Sequence, residues 1–178
     1  MSEVGDSARV TIVVADYATA NDDGKFTIVG AGITLVGFDS KVTNRTAPMS
    51  VVAIATFDPE FVGKSPIVEL TLETMDGVVV EMPPGGDTPD AAPLPLHIKS
   101  GPEPLVPTRL AGLQLPDEAF RPKMQMLMQF SSGLPLTADQ RYLWRVTIDG
   151  EKRDEWTESL YVVDLSQRGP QLPGFLGF

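Results

Sequence analysis

Prolines and glycines constrain the fold of this chain more than any other feature. The sequence has 16 of each in 178 residues, and they recur too often to leave room for long helices. Between them lie short segments rich in β-branched residues or alternating in polarity, which is typical of strands. The spacing therefore predicts an all-β protein built from many short strands.

The strand candidates begin with Arg9–Tyr17, whose β-branched run predicts a strand buried on both faces or nearly so. Asp23-Gly24 then predicts a turn, and a second strand follows over Lys25–Val29. The other candidates lie at about 49–57, 67–75, 78–82, 94–98, 123–130, 142–148 and 159–163. With no convincing helix, this pattern predicts two packed sheets, an antiparallel sandwich of immunoglobulin-like or jelly-roll-like type.

The segment from Leu136 to Tyr142 carries the most specific local signal. A leucine lies six residues before a tyrosine that begins the alternating strand Tyr142, Trp144, Val146, Ile148. This arrangement resembles the tyrosine corner of immunoglobulin-like and fibronectin-type sandwiches. It predicts that the Tyr142 hydroxyl bonds back to backbone groups upstream of it.

Domain organisation follows from the change of composition after residue 82. Residues 1–164 are expected to form one β-sandwich domain, interrupted by a connection over 83–122 that contains ten prolines. Because proline removes ladder donors, this connection is expected to form edge strands, polyproline-like segments or covering loops. Residues 165–178 are expected to be an extended apolar tail.

That tail is the predicted partner-binding element. It combines turn residues with the large apolar side chains of Leu172, Phe175, Leu176 and Phe178. Apolar groups on a free tail would adhere to other surfaces, so burial against another protein subunit is the expected arrangement.

Charge and cysteine content exclude several classes of function. The formal net charge is −10, and such a surface repels phosphate, so no nucleic-acid partner is predicted. Cysteine is absent, which excludes disulfides and thiolate chemistry. The start of the chain has no signal-peptide pattern, and no apolar run approaches membrane-spanning length. We therefore predict synthesis in the cytoplasm and no membrane partner.

The sequence predicts no catalytic residue, metal site or cofactor. His97 is the sole histidine, so neither a two-histidine metal site nor a Cys–His pair can form, and no G-x-S-x-G elbow presents a serine. Asp22 and Asp23 could hold calcium, but a solvated acidic turn is the favoured interpretation. A basic cluster is expected to balance neighbouring acids. It comprises Arg141, Arg145, Lys152 and Arg153, and the acids are Asp149, Glu151, Asp154 and Glu155.

Two segments carry a family resemblance. Val13–Ala18, followed by Asp23-Gly24-Lys25 and Gly30-Ala31-Gly32, resembles the opening of an uncharacterised family from actinobacteria and their phages, and Tyr142–Glu151 is similar to that family's end. The resemblance implies a small β-sandwich of actinobacterial or actinophage origin and carries over no catalytic residue. Phages use such sandwiches as head-decoration, minor capsid and tail-associated proteins, which is an argument by analogy.

The expected function is therefore a non-catalytic structural or interaction protein, a phage virion accessory protein that binds other protein subunits. The alternative is a cytosolic actinobacterial β-sandwich module that binds a small ligand or peptide in a concave pocket. An enzyme of carbohydrate or ester chemistry would need two close carboxylates or a suitably placed His97, and the sequence nominates neither.

Overall fold

A computed structural model describes residues 2–21, 24–83, 92–107, 116 and 120–167. The proposed tail contacts Leu172, Phe175, Leu176 and Phe178 lie outside these residues, as do Asp22 and Asp23. In the described part, the strands are β1 Arg9–Ala20, β2 Phe26–Ala31, β3 Leu35–Phe38, β4 Met49–Thr56, β5 Val68–Thr74, β6 Glu81–Met82, β7 Leu94–Pro95, β8 His97–Ser100, β9 Lys123–Phe130, β10 Gln140–Ile148 and β11 Glu151–Asp164. One short helix, α1, covers Glu3–Ser7, and 3₁₀ turns lie at Pro59–Phe61 and Leu165–Gln167.

The strands form two main sheets, as the sequence predicts. The first has the order β2-β1-β4-β9 and is antiparallel, while the second has the order β3-β11-β10-β5-β8 and curls into a half-barrel. A separate two-stranded ladder joins β6 to β7.

The prediction of a wholly antiparallel sandwich is wrong, because β3 and β11 pair in parallel. A tight hairpin imposes antiparallel pairing, but most of the chain separates β3 from β11, so no turn fixes their relative direction. The second sheet is therefore mixed.

The main core lies between the two sheets. Its largest fully buried side chains are Trp144, Trp156, Phe57 and Met49, and they come from both layers. The predicted bond from Tyr142 to upstream backbone is confirmed: the Tyr142 hydroxyl accepts a hydrogen bond from the Thr137 N–H at 3.0 Å. This bond ties the loop before β10 to the strand that carries Trp144.

Several elements differ from the prediction in extent, in burial or in being present at all. β1 is not buried on both faces, since Arg9 and Thr11 are exposed. β11 begins at Glu151, well before the predicted start at Ser159, because its charged first half pairs with β10 across the Asp149-Gly150 turn. Helix α1 was not predicted; it covers one end of the sandwich, where the Arg153 guanidinium pairs with Asp6.

The β1–β2 hairpin folds back over the outer face of the first sheet. The Ala18 N–H donates to Ser50 Oγ at 3.1 Å, and Gln129 Nε2 donates to the Ala18 carbonyl at 2.7 Å. Nearer the hairpin turn, Lys123 Nζ donates to the Gly24 carbonyl at 3.5 Å. The side chains of Ser50, Gln129 and Lys123 alternate along their strands with residues of the main core, so they face away from that core.

This covering explains two buried residues that do not belong to the main core. Val52 and Ala15 point toward the outer face, yet both are 0% exposed. The first sheet is thus covered on both faces near Val52, by the second sheet inside and by its own hairpin outside.

Candidate functional site

The outer face of the second sheet carries a cluster of charged and hydroxyl side chains. Strand β5 alternates, so that Val68 and its leucines enter the core while Glu69, Thr71 and Glu73 point outward. The neighbouring strands add to this cluster by register. β8 places His97 beside Thr71 and Lys99 beside Glu69.

Strand β10 completes the cluster from the other side. Arg145 lies opposite Thr71, and Thr147 lies opposite Glu69. Lys152, at the start of β11, is the register partner of Thr147. Four neighbouring strands therefore bring these side chains onto one face.

These groups surround a cleft of about 250 Å³, named here the polar cleft. Its lining comprises Glu69, Thr71, Glu73, Val79, Pro95, His97, Thr147 and Lys152. Six of these eight residues are polar or charged, but the surface that they present to the cleft, together with Val79 and Pro95, is mostly apolar.

Glu73 is the most deeply buried charge of the cleft, at 2% exposure. Arg145 Nε donates to its Oε2 at 2.8 Å, and Lys152 Nζ donates to its Oε1 at 2.8 Å. Burial acts to raise the pKa of this carboxyl, but the hydrogen bonds and charges of Lys152 and Arg145 outweigh it and hold the pKa below its usual value. Glu73 is therefore ionised at neutral pH.

Glu69 occupies the other end of the cleft. Lys99 Nζ lies 3.1 Å from its Oε1, while Thr147 Oγ1 donates to Oε2 at 3.3 Å and His97 Nε2 lies 3.8 Å away. Burial again acts to raise the pKa, and Lys99, aided by the charge of His97 and by Thr147, lowers it below the usual value. Both carboxylates are thus held as anions by neighbouring donors.

We expect acid to destabilise the protein through Glu73. Because its pKa is lowered on folding, the ionised group stabilises the fold fully above its usual pKa of 4.5, and this contribution is lost as pH falls through the lower folded-state pKa. Urea unfolding midpoints measured between pH 7 and pH 3 should therefore fall further for the wild type than for Glu73→Gln. Parallel pH profiles for the two proteins would contradict this assignment.

Part of the predicted basic cluster pairs with a different acid from those expected. Arg153 pairs with Glu151 as expected, with Nη2 to Oε1 at 2.8 Å. Arg145 and Lys152 instead pair with Glu73, which the sequence did not nominate. His97 lies on an edge strand, as expected, but within the polar cleft.

The sequence did not nominate Glu73 as a site residue because the alternation of polar and apolar residues around it is that of an ordinary strand. It alternates with core leucines in a strand expected to be half-buried, where an outward glutamate predicts only solvent contact. The signal that distinguishes it is cross-strand register, since Lys152 is 79 residues away in sequence.

A second feature is the free edge of β2. In the described part of the chain β2 pairs only with β1, and its six residues, Phe-Thr-Ile-Val-Gly-Ala, include no charge and no proline. Val29 is 56% exposed and lies opposite Tyr17, which is 52% exposed. Edge strands of soluble proteins are usually protected by charges, prolines or bulges. Here Gly30 has φ of +66°, and the Asp16 side chain of β1 packs against that glycine, while Phe26–Val29 carry no such protection of their own.

The direction of the backbone groups follows from the hairpin. The Asn21 N–H donates to the Lys25 carbonyl at 2.8 Å. In an antiparallel ladder every second cross-strand pair is hydrogen-bonded, so the next pair, with Phe26, is not bonded between β1 and β2, and neither is the pair with Ile28. The peptide groups of Phe26 and Ile28 therefore point away from β1. They form an open row of donors and acceptors.

The described residues contain no group of three or more histidine, aspartate or glutamate side chains placed to hold a metal ion. They also contain no helix with the length and apolar character needed to cross a membrane.

Comparison of the chain with protein-family models, curated proteins and solved structures found no match.

Proposed function

We propose that this chain is a non-catalytic structural or interaction protein that binds other protein subunits through the open edge of β2. The observation that carries the proposal is the uncharged stretch from Phe26 to Val29, in which Thr27 and Val29 are exposed and Phe26 and Ile28 are half-buried. Its outward peptide groups have no strand partner in the described part of the chain. Such an edge favours addition of a strand from another chain.

The resemblance to an actinobacterial and actinophage family supports a narrower form of this proposal. In that form the protein is a virion accessory protein of the head or tail, and the apolar tail with Leu172, Phe175, Leu176 and Phe178 adds a second contact. The Tyr142 hydrogen bond supports an immunoglobulin-like sandwich over a jelly roll.

The state of the two cleft carboxylates supports a non-catalytic role. A general acid needs a pKa near the working pH, and Glu69 and Glu73 have lowered pKa values. Each is also hydrogen-bonded to a cation of the protein itself. They are better suited to stabilising the sheet than to transferring protons.

We expect the purified full chain to self-associate through β2, and Val29→Lys to abolish this association. A lysine beside the open edge adds a charge that strand pairing would bring close to its symmetry mate. Light scattering during size-exclusion chromatography, over a range of concentrations, should give masses above the 19.2 kDa monomer for the wild type only.

The matched control is Val42→Lys, which makes the same charge change at a side chain that is 81% exposed in the loop after β3. It should behave as the wild type. A wild type that stays at 19.2 kDa at every concentration, or equal effects of the two lysines, would contradict pairing through β2. A chain ending at residue 167 measures the contribution of the tail in the same experiment.

The polar cleft favours a second candidate function, that of a cytosolic module binding a small ligand or peptide. The observation in its favour is the convergence of charged and hydroxyl groups from four neighbouring strands on one concavity.

A further inference from the structure

The open edge of β2 presents its outward peptide groups at alternate residues. Phe26 and Ile28 direct their N–H and C=O groups away from β1, while Thr27 and Val29 direct theirs toward it. A strand added at this edge must bring its own hydrogen-bonding residues opposite Phe26 or Ile28. A second copy of β2 meets this condition if its even-numbered residues lie opposite the even-numbered residues of the first.

The edge is also a place where two copies of this acidic chain can approach each other with little repulsion. The chain carries a formal net charge of −10, so its copies repel each other over most of their surface. The six residues of β2 are uncharged, and the neighbouring half of β1 has one charge, on Asp16. In a pair of β2 strands, three strand spacings of about 4.8 Å would separate Asp16 from its symmetry mate, which is more than the Debye length of about 8 Å.

We propose that the partner of β2 is β2 of a second copy, antiparallel to the first about a two-fold axis at Ile28. This inference rests on the proposed function and names its partner and register. Ile28 and its symmetry mate then exchange both N–H···O=C bonds, and Thr27 of each copy lies opposite Val29 of the other. The four strands of each first sheet join into one continuous sheet.

Overlap of the two strands selects this register. β2 covers Phe26–Ala31, so centring at Ile28 places residues 26–30 of each copy opposite each other. Centring at Thr27 would pair only residues 26–28 within β2. Centring at Val29 would place Phe26 opposite Gly32, which lies beyond the end of the strand. The register centred at Ile28 is therefore the one that pairs both Phe26 and Ile28 with residues of β2 over the longest stretch.

The same register joins exposed apolar side chains of the two copies. Val29 lies opposite Tyr17 within each copy, and the two side chains are 56% and 52% exposed. In the proposed pair, Val29 lies beside Thr27 of the second copy and about 7–8 Å diagonally from the second copy's Val29. The Tyr17–Val29 pairs of both copies then form one stripe across the joined sheet, and each valine loses exposed area.

Disulfide trapping tests the register, because the chain has no cysteine that could compete. Thr27→Cys and Val29→Cys are made in the full chain and treated with oxidised glutathione, each alone and as an equal mixture. Covalent dimer is followed by non-reducing electrophoresis. We expect the mixture to form dimer about tenfold faster than either variant alone, because only the mixed pair has its Cα atoms about 4.5 Å apart, within the reach of a disulfide.

Val42→Cys is the control, since this side chain is 81% exposed in the loop after β3, away from the edge. It should form dimer only at the slow rate of random collision. If Thr27→Cys alone or Val29→Cys alone is trapped as fast as the mixture, the axis does not lie at Ile28, although pairing through β2 stands. If the mixture and both variants are trapped no faster than Val42→Cys, the second copy is not the partner and self-association through β2 fails with it.

Discussion

Replacing Gly133 by alanine is expected to lower the free energy of unfolding by about 3 kcal/mol, from two independent causes. Gly133 has φ of +65°, a left-handed conformation that costs a residue with a Cβ about 1–2 kcal/mol. A Cβ there would also lie 1.8 Å from the Thr46 carbonyl oxygen, which is far inside van der Waals contact. Crowding of this kind in a packed region costs about 1–3 kcal/mol more.

Thr46 cannot easily move away from that contact. It is 4% exposed, and two hydrogen bonds tie it to Leu134: the Thr46 N–H donates to the Leu134 carbonyl at 3.0 Å, and the Leu134 N–H donates to Thr46 Oγ1 at 2.9 Å. Relieving the clash would therefore break the link between the loop after β3 and the loop after β9.

Gly77→Ala is the matched control. Gly77 has φ of +78°, but nothing lies within 4 Å of the position its Cβ would take. It should lose only the conformational cost of about 1–2 kcal/mol. Urea unfolding with unchanged m-values measures both variants, and equal losses would show that the contact with Thr46 contributes nothing.

The sequence predicted those features that depend on neighbours along the chain. β4 and β9 appear where runs of apolar and β-branched residues place them, and the Tyr142 bond spans only five residues. Each of these follows from local polarity or turn chemistry, which a short window of sequence contains.

What could not be predicted depends on register between distant segments. The parallel pairing of β3 with β11 joins segments that no turn connects directly. The burial of Val52 requires the β1–β2 hairpin to fold over the first sheet, and an alternating strand pattern does not encode that bend. The polar cleft also depends on register between distant segments, since its residues come from β5, β7, β8, β10 and β11 and from the loop before β6.

Replacing Glu73 by alanine is expected to destabilise the fold by about 3 kcal/mol, the lower end of the range for breaking a buried ion pair. The cost arises from the partner left behind. The Arg145 side chain is only 13% exposed, so its Nε would lose the Glu73 carboxylate without regaining full hydration, while Nη1 keeps its bond to the Arg153 carbonyl. Lys152, at 53% exposure, rehydrates readily and adds little to the loss.

Four further variants separate the contribution of the Glu73–Arg145 pair from that of its surroundings. Lys152→Met should cost less than about 1 kcal/mol, because it removes the exposed partner and leaves the Arg145 bond intact. The double variant Glu73→Leu with Arg145→Leu should be more stable than Glu73→Ala, since no buried charge then lacks a partner. A double-mutant cycle of Glu73→Ala with Arg145→Ala, measured by urea unfolding at pH 7, gives their coupling directly. If Glu73→Ala costs no more than Lys152→Met, the carboxylate is hydrated in solution and Arg145 does not depend on it.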